Sequence, residues 1–170
     1  MGGSGAGHFR VTLSLRREPN ARPVYCKMET SSKFRQLKTV KLSAEATYRL
    51  DISFKPPRVL QGLEIGGKPV EAIERARDGT ACAYSAYHST KDATASLRGQ
   101  REELPIAIRV QDSGRLNTCL QIKYYRAEDK HCEIGPGTAK LHCIELDCTN
   151  VNGQLVMVDR ENYRKLGIAT

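Results

Sequence analysis

The sequence predicts an all-β protein, an antiparallel β-sandwich or barrel of about nine to ten strands with short helices. Three observations predict it. Apolar residues recur with period two through most of the chain, the alternating runs are short and divided by turn residues, and helix signals are scarce. Period two places successive side chains on opposite faces of an extended chain. Many such runs make a sheet that must stack or close to bury one face.

The elements follow in order. "FRVTLSL" (9–15) sets Phe9, Val11, Leu13 and Leu15 on one face against Arg10, Thr12 and Ser14. Residues 24–28 and 38–42 are the next strand candidates. "TYRLDISF" (47–54) alternates Tyr48, Leu50, Ile52 and Phe54 with Arg49, Asp51 and Ser53. Pro56-Pro57 stops it, because proline offers no ladder donor. "VLQGLEI" (59–65) and "KPVEAI" (68–73) flank Gly66-Gly67, a two-residue turn suited to a primed hairpin. Strands are expected at 80–87, 104–110, 116–125, 141–148 and 154–158. The polar stretch 88–103 is too long for a tight hairpin connection and reads as a loop or a helical turn. Asp159 is placed to cap a short helix through Leu166, with Gly167 as its stop. The expected layout is one domain over 9–166, with a flexible segment 1–8 before it and a tail 167–170 after it.

Composition narrows the function classes. With 39% hydrophobic and 27% charged residues in 170, the chain can bury one core. No apolar run reaches the roughly 20 residues of a membrane helix, and residues 1–15 lack a signal-peptide core, so a cytoplasmic protein is expected. Gly2 invites N-myristoylation, but Ala6 stands where that motif wants Ser or Thr. Six cysteines (26, 82, 119, 132, 143 and 148) read as reduced, buried thiols at this size. The net charge of +8 is concentrated, because residues 1–60 hold twelve Lys/Arg against four Asp/Glu and the remainder holds fifteen of each. Such an excess fits an acidic peptide or an anionic membrane surface. Nucleic acid is excluded as a partner, since there is no zinc-finger spacing, P-loop or aromatic RNA-binding strand.

His131-Cys132 and His142-Cys143 place four possible metal ligands within fourteen residues. In a strand, His142 falls with Ile144, Leu146 and Cys148, whereas Cys143 falls with Leu141, Glu145 and Asp147. Adjacent strand residues do not reach one tetrahedral ion, and no cysteine knuckle is present, so no metal and no other cofactor is expected. Cys132 beside His131 is the local candidate for a nucleophile and base, but sequence adjacency does not make a catalytic pair. Glu102-Glu103 and Glu128-Asp129 read as solvated surface, and no catalytic residue is assigned.

"EPNARPVYCK" (18–27), "TVKL" (39–42), "LEIGGKPV" (63–70), "LQIKYY" (120–125), "HCEIG" (131–135), "IELDC" (144–148) and "LVMVDRENY" (155–163) carry a resemblance. Their order and spacing resemble the cannabinoid receptor-interacting protein family over roughly residues 9–163. The resemblance implies a β-sandwich or barrel similar to Rho GDP-dissociation inhibitors. It also implies a non-enzymatic adaptor for the C-terminal tail of the type-1 cannabinoid receptor, restraining constitutive G-protein signalling and tonic calcium-channel inhibition. The protein would then sit in the cytoplasm, peripheral to the plasma membrane through its receptor. Family members carry tryptophans near 120, 134 and 157, where this chain has Leu120, Ile134 and Met157. These swaps stay apolar and mark a divergent member.

A peptide-capturing adaptor needs cations and aromatic flanks. The candidates are Lys33, Arg35, Lys38, Lys41, Arg126 and Lys130, with Tyr84, Tyr87 and Tyr125 beside them. Tyr124 belongs with them by type, but because Tyr124 and Tyr125 alternate, one of the two must face the core. The alternative class is a lipid or prenyl carrier with a cavity between sheets, made where Leu120, Ile134 and Met157 replace larger rings.

Overall fold

The computed structural model describes residues 7–30 and 32–166, so residues 1–6, the tail 167–170 and Gly167 as a helix stop lie outside the described residues. Twelve strands form one hydrogen-bonded sheet. They are β1 (Gly7–Glu18), β2 (Arg22–Met28), β3 (Lys38–Ser43), β4 (Thr47–Lys55), β5 (Leu60–Ile65) and β6 (Lys68–Pro69). β7 (Ile73–Arg77), β8 (Cys82–Ser89), β9 (Glu102–Val110), β10 (Gly114–Tyr125), β11 (Thr138–Asn150) and β12 (Val156–Lys165) complete it. Helix is limited to one 3-10 turn, Lys130–Cys132, among the described residues.

The sheet runs β6-β5-β9-β10-β3-β2-β11-β1-β4-β8-β7, with β12 on the other side of β11. Its two end strands, β6 and β7, are neighbours in sequence. Only residues 70–72 separate them, a link that spans at most roughly 14 Å. The sheet therefore curls until its ends approach, although no ladder closes it. The stretch expected as one strand at 68–73 is divided between these two ends. Gly66 and Gly67 both take positive φ (63° and 82°), the primed-turn geometry that joins β5 to β6.

Among the described residues the strand ladders are antiparallel except β3 with β10, which run parallel from Val40–Ile122 to Ser43–Tyr125, and one isolated parallel bridge joins Arg115 to Leu155. β1 pairs with β11 as far as Leu13–Ile144, then leaves it to form a hairpin with β2. β2 fills the fork by pairing with residues 138–141 of β11. The concave face buries Phe9, Val11, Leu13, Leu15, Tyr48, Leu50, Ile52 and Phe54 in one cluster with the aliphatic residues of β9, β10 and β11. The two alternating runs read from the sequence are thus the core stripes of β1 and β4, which pair from Arg10–Lys55 to Glu18–Thr47.

Two expectations are corrected. Residues 159–165 form strand, not helix. They pair with β11 from Val156–Asn150 to Lys165–Leu141, so ladder bonds to a preformed strand override the capping signal of Asp159. The face assignment of His142 also changes. A register shift between Leu141 and Cys143 moves the chain by one residue. Leu141 is buried with Ile144, Leu146 and Cys148, and His142 is exposed. A bulge inverts the alternation that the sequence alone projects.

Candidate functional site

Three connections cover the convex side of β3 and β10: the described residues of 29–37 (29–30 and 32–37), 90–101 and 126–137. Alternation sends Val40, Leu42, Leu120 and Ile122 into the core and turns Thr39, Lys41, Ser43, Gln121, Lys123 and Tyr125 the other way. The covering loops bury much of this second face, which becomes a polar layer.

Each loop is tied down through side chains. The Gln36 amide N–H donates to Gln121 Oε1 at 3.0 Å, and Gln121 Nε2 donates to the Gln36 carbonyl at 2.9 Å. Ser96 N–H donates to the Tyr124 carbonyl at 2.8 Å, and its hydroxyl accepts from Tyr124 N–H at 3.0 Å. Arg101 Nε donates to Glu29 at 2.8 Å, both side chains being nearly dry at 7% and 5% exposed. The Arg101 guanidinium also lies 4.2 Å from the centre of the Phe34 ring. Burial pushes the Glu29 carboxyl up, but hydrogen bonds from Arg101 and Thr39 outweigh it and hold the group below the ordinary carboxylate range.

Cations gather around Tyr125. The Lys41 and Lys123 ammonium groups lie 5.3 and 5.1 Å from its ring centre. Lys41 is buried and donates to the Ile134 carbonyl at 2.9 Å and Thr138 Oγ1 at 2.8 Å. Burial, reinforced by neighbouring cations, holds both lysines below the ordinary lysine range. Burial pushes Tyr125 up to about 12.

Beside this layer lies a groove of about 590 Å³, with Arg98, Lys123, Arg126 and His131 on its walls and Tyr124 and Tyr125 on its floor. Asp129 is its one acidic wall residue, and that carboxylate already accepts from the His131 amide and meets His131 Nδ1, each at 2.9 Å. A second groove of about 390 Å³ lies on the other side of residues 99–101, bordered by Lys33, Phe34, Arg35 and Gln121 and by Glu102 and Glu103, the latter paired with Arg35 at 2.6 Å. Together the two grooves make a basic trough with an aromatic floor, chemistry that suits an anionic, extended ligand.

The structure brings four of the nine candidate residues to this trough, Lys33, Arg35, Tyr125 and Arg126, and buries Lys41 in the polar layer beside it. Lys130 stands next to it in the 3-10 turn. Lys38 points to the opposite side of β3, where its ammonium lies 5.4 Å from the Tyr163 ring centre. Tyr84 and Tyr87 lie apart on β8. Tyr84 is buried edge-on to Phe54 and its hydroxyl accepts from Arg77 at 3.0 Å, while Tyr87 is exposed. Arg98, Arg101 and Lys123 complete the trough. Their signals were the arginines inside the polar stretch 88–103 and the outward phase of Lys123 between Ile122 and Tyr124.

The remaining chemistry is dispersed. No group of three or more His, Cys, Asp or Glu side chains is set to hold a metal among the described residues. His131 turns toward Asp129, whereas Cys132 Sγ lies 3.7 Å from Ser43 Oγ. Among the described residues no helix is long and apolar enough to cross a membrane. Of the three positions read as sources of interior space, Leu120 is 1% exposed, but Ile134 and Met157 are 55% and 51% exposed.

The family model for CB1 cannabinoid receptor-interacting protein 1 matches residues 6–163, from the start of β1 to near the end of β12. The chain belongs to this family. It is 28% identical over 162 residues to the human CB1 cannabinoid receptor-interacting protein 1, covering 92% of this chain and 96% of the human protein. The proteins of the same name from Bos taurus and Mus musculus match at the same identity and coverage. The matched span 6–163 takes in β1 to β11, most of β12 and the residues that line the trough.

Proposed function

We propose that this protein is a non-enzymatic adaptor whose basic trough docks the cytoplasmic C-terminal tail of the type-1 cannabinoid receptor. In this reading it restrains agonist-independent G-protein signalling and tonic calcium-channel inhibition, and works in the cytoplasm, held at the plasma membrane by its receptor. The observation that carries the proposal is the family match across 6–163, whose relatives are named for that receptor.

The trough supplies a physical means. An extended acidic segment would lie along β10 between the two covering loops, with Arg98 and Arg126 at one end and Lys33 and Arg35 at the other. Surface cations raise the rate of encounter more than they tighten the complex. The thiols favour docking over chemistry, since burial pushes Cys132 and Cys143 above the ordinary range and Cys26 to about 11, which disfavours the thiolate.

Stopped-flow association with a receptor-tail peptide tests the reading. The on-rate should fall several-fold as salt rises from about 0.05 to about 0.3 M, as screening shortens the reach of the trough's field. A salt-independent rate removes the electrostatic role, and failure of every tail peptide to bind removes the receptor assignment.

A further inference from the structure

Arg98, Lys123 and Arg126 share one groove, and none has a carboxylate within 4 Å among the described residues. The groove's single acidic wall residue, Asp129, is already satisfied by His131. Lys41, Arg101 and Lys27 stand near Lys123 and add to the same positive field, with Glu29 and Asp129 as the nearby counter-charges, Glu29 itself committed to Arg101 and Thr39. A carboxylate carries one charge and would leave most of this excess unanswered. A phosphomonoester carries close to two charges and three acceptor oxygens, which matches three convergent donors.

We propose that the groove walled by Arg98, Lys123 and Arg126 is a site for a phosphorylated serine or threonine within an extended peptide. This rests on the adaptor reading and specifies the chemical state of the docked segment. A peptide fits better than a lipid headgroup or free phosphate because the groove does not end at the phosphate-sized pocket. Past residues 99–101 it is followed by the second groove, where Lys33, Arg35 and Gln121 flank the path together with Glu102 and Glu103, the latter paired with Arg35. An extended chain can occupy both grooves at once, with its phosphate beside Tyr125 and its flanking residues over Phe34. The Ser96 hydroxyl, fixed between Tyr124 N–H and the Glu102 carboxylate, keeps this wall of the groove in place.

The test compares receptor-tail peptides, unmodified or singly phosphorylated at each serine and threonine, by calorimetry and by amide shifts of the labelled full chain. At least one phosphorylated form should bind roughly 10- to 100-fold tighter than the unmodified peptide, through charge-assisted bonds of the phosphate. Its shifts should centre on residues 96–101 and 123–126. In Arg98→Gln and Arg126→Gln proteins, with unchanged thermal transitions, that ratio should drop at least fivefold. If the unmodified peptide binds and no phosphorylated form binds tighter, the phosphate site is overturned and the adaptor reading survives. If no tail peptide binds in either state, the adaptor reading fails. An unrelated phosphoserine peptide that shifts Lys123 and Arg126 then upholds the site, and one that shifts neither overturns it. Vesicles containing a phosphoinositide that bind the protein when no phosphopeptide does would overturn the peptide assignment in favour of a lipid.

Discussion

Replacing Arg101 with methionine should loosen the covering loops without touching the core. In the native protein the guanidinium meets Glu29 at 2.8 Å, stacks 4.2 Å from the Phe34 ring centre and donates to the Gln100 carbonyl at 2.8 Å. Removing it leaves a carboxylate that is 5% exposed with Lys27, 4.0 Å away, as its remaining cation. Breaking one side of a buried ion pair costs about 3–5 kcal/mol. In a domain of this size that is a fall in Tm of roughly 10 °C. Adding Glu29→Gln removes the stranded charge, so the double variant should regain about 2 kcal/mol over Arg101→Met alone. Acid has a defined sign here. Because Glu29 is held below its ordinary range in the folded state, its stabilising effect is present above that range and fades as pH falls through the folded value. The gap between wild type and Arg101→Met should therefore narrow below about pH 4. Urea denaturation across pH measures all three quantities. Hydrogen exchange at Ser96 and Gln100 N–H, which donate to Tyr124 and Leu97 carbonyls, reports whether the loop opens. A cost under about 1 kcal/mol for Arg101→Met, or strict additivity in the double variant, would refute the claim that this pair clamps the loop.

Gly114→Ala should destabilise the fold by about 3 kcal/mol, because its φ of 108° disfavours a side chain and an added Cβ would sit 2.2 Å from the Gln154 carbonyl carbon; chemical denaturation reads the loss. Among the six thiols, Cys119 should be alkylated first in the native protein, since it is partly exposed while the other five are buried. Peptide mapping after brief iodoacetamide treatment checks this, and faster labelling of Cys148, pushed by burial to about 12, would contradict it.

Much of the fold was legible because one face of most strands is dry. Where a strand borders the core, as with Phe9 to Leu15 and Tyr48 to Phe54, alternation and burial coincide residue by residue. The continuation of the last strand past Val158 escaped notice because solvent or polar neighbours meet most of "DRENYRK", and Tyr163 is its one large residue packed against the core. With no apolar stripe to read, a local capping signal outweighed a pairing partner more than ten residues away. The site was half legible for a similar reason. Lys33, Arg35 and Arg126 stand out as local charge, but Arg98 and Lys123 become neighbours only when residues 90–101 cross β10. No sequence spacing encodes that crossing. Tyr84 was drawn to the site by its type, yet a hydroxyl that can be satisfied at the core edge by Arg77 makes an aromatic ring core material.

Backbone amide signals of the labelled full chain, followed through a titration with the receptor-tail peptide, test the central claim most directly. The account predicts saturable shifts gathered at 33–36, 96–101 and 121–126, on the convex side of β3 and β10. Shifts gathered instead along the exposed edge strand β7, or none at any peptide concentration, would contradict it.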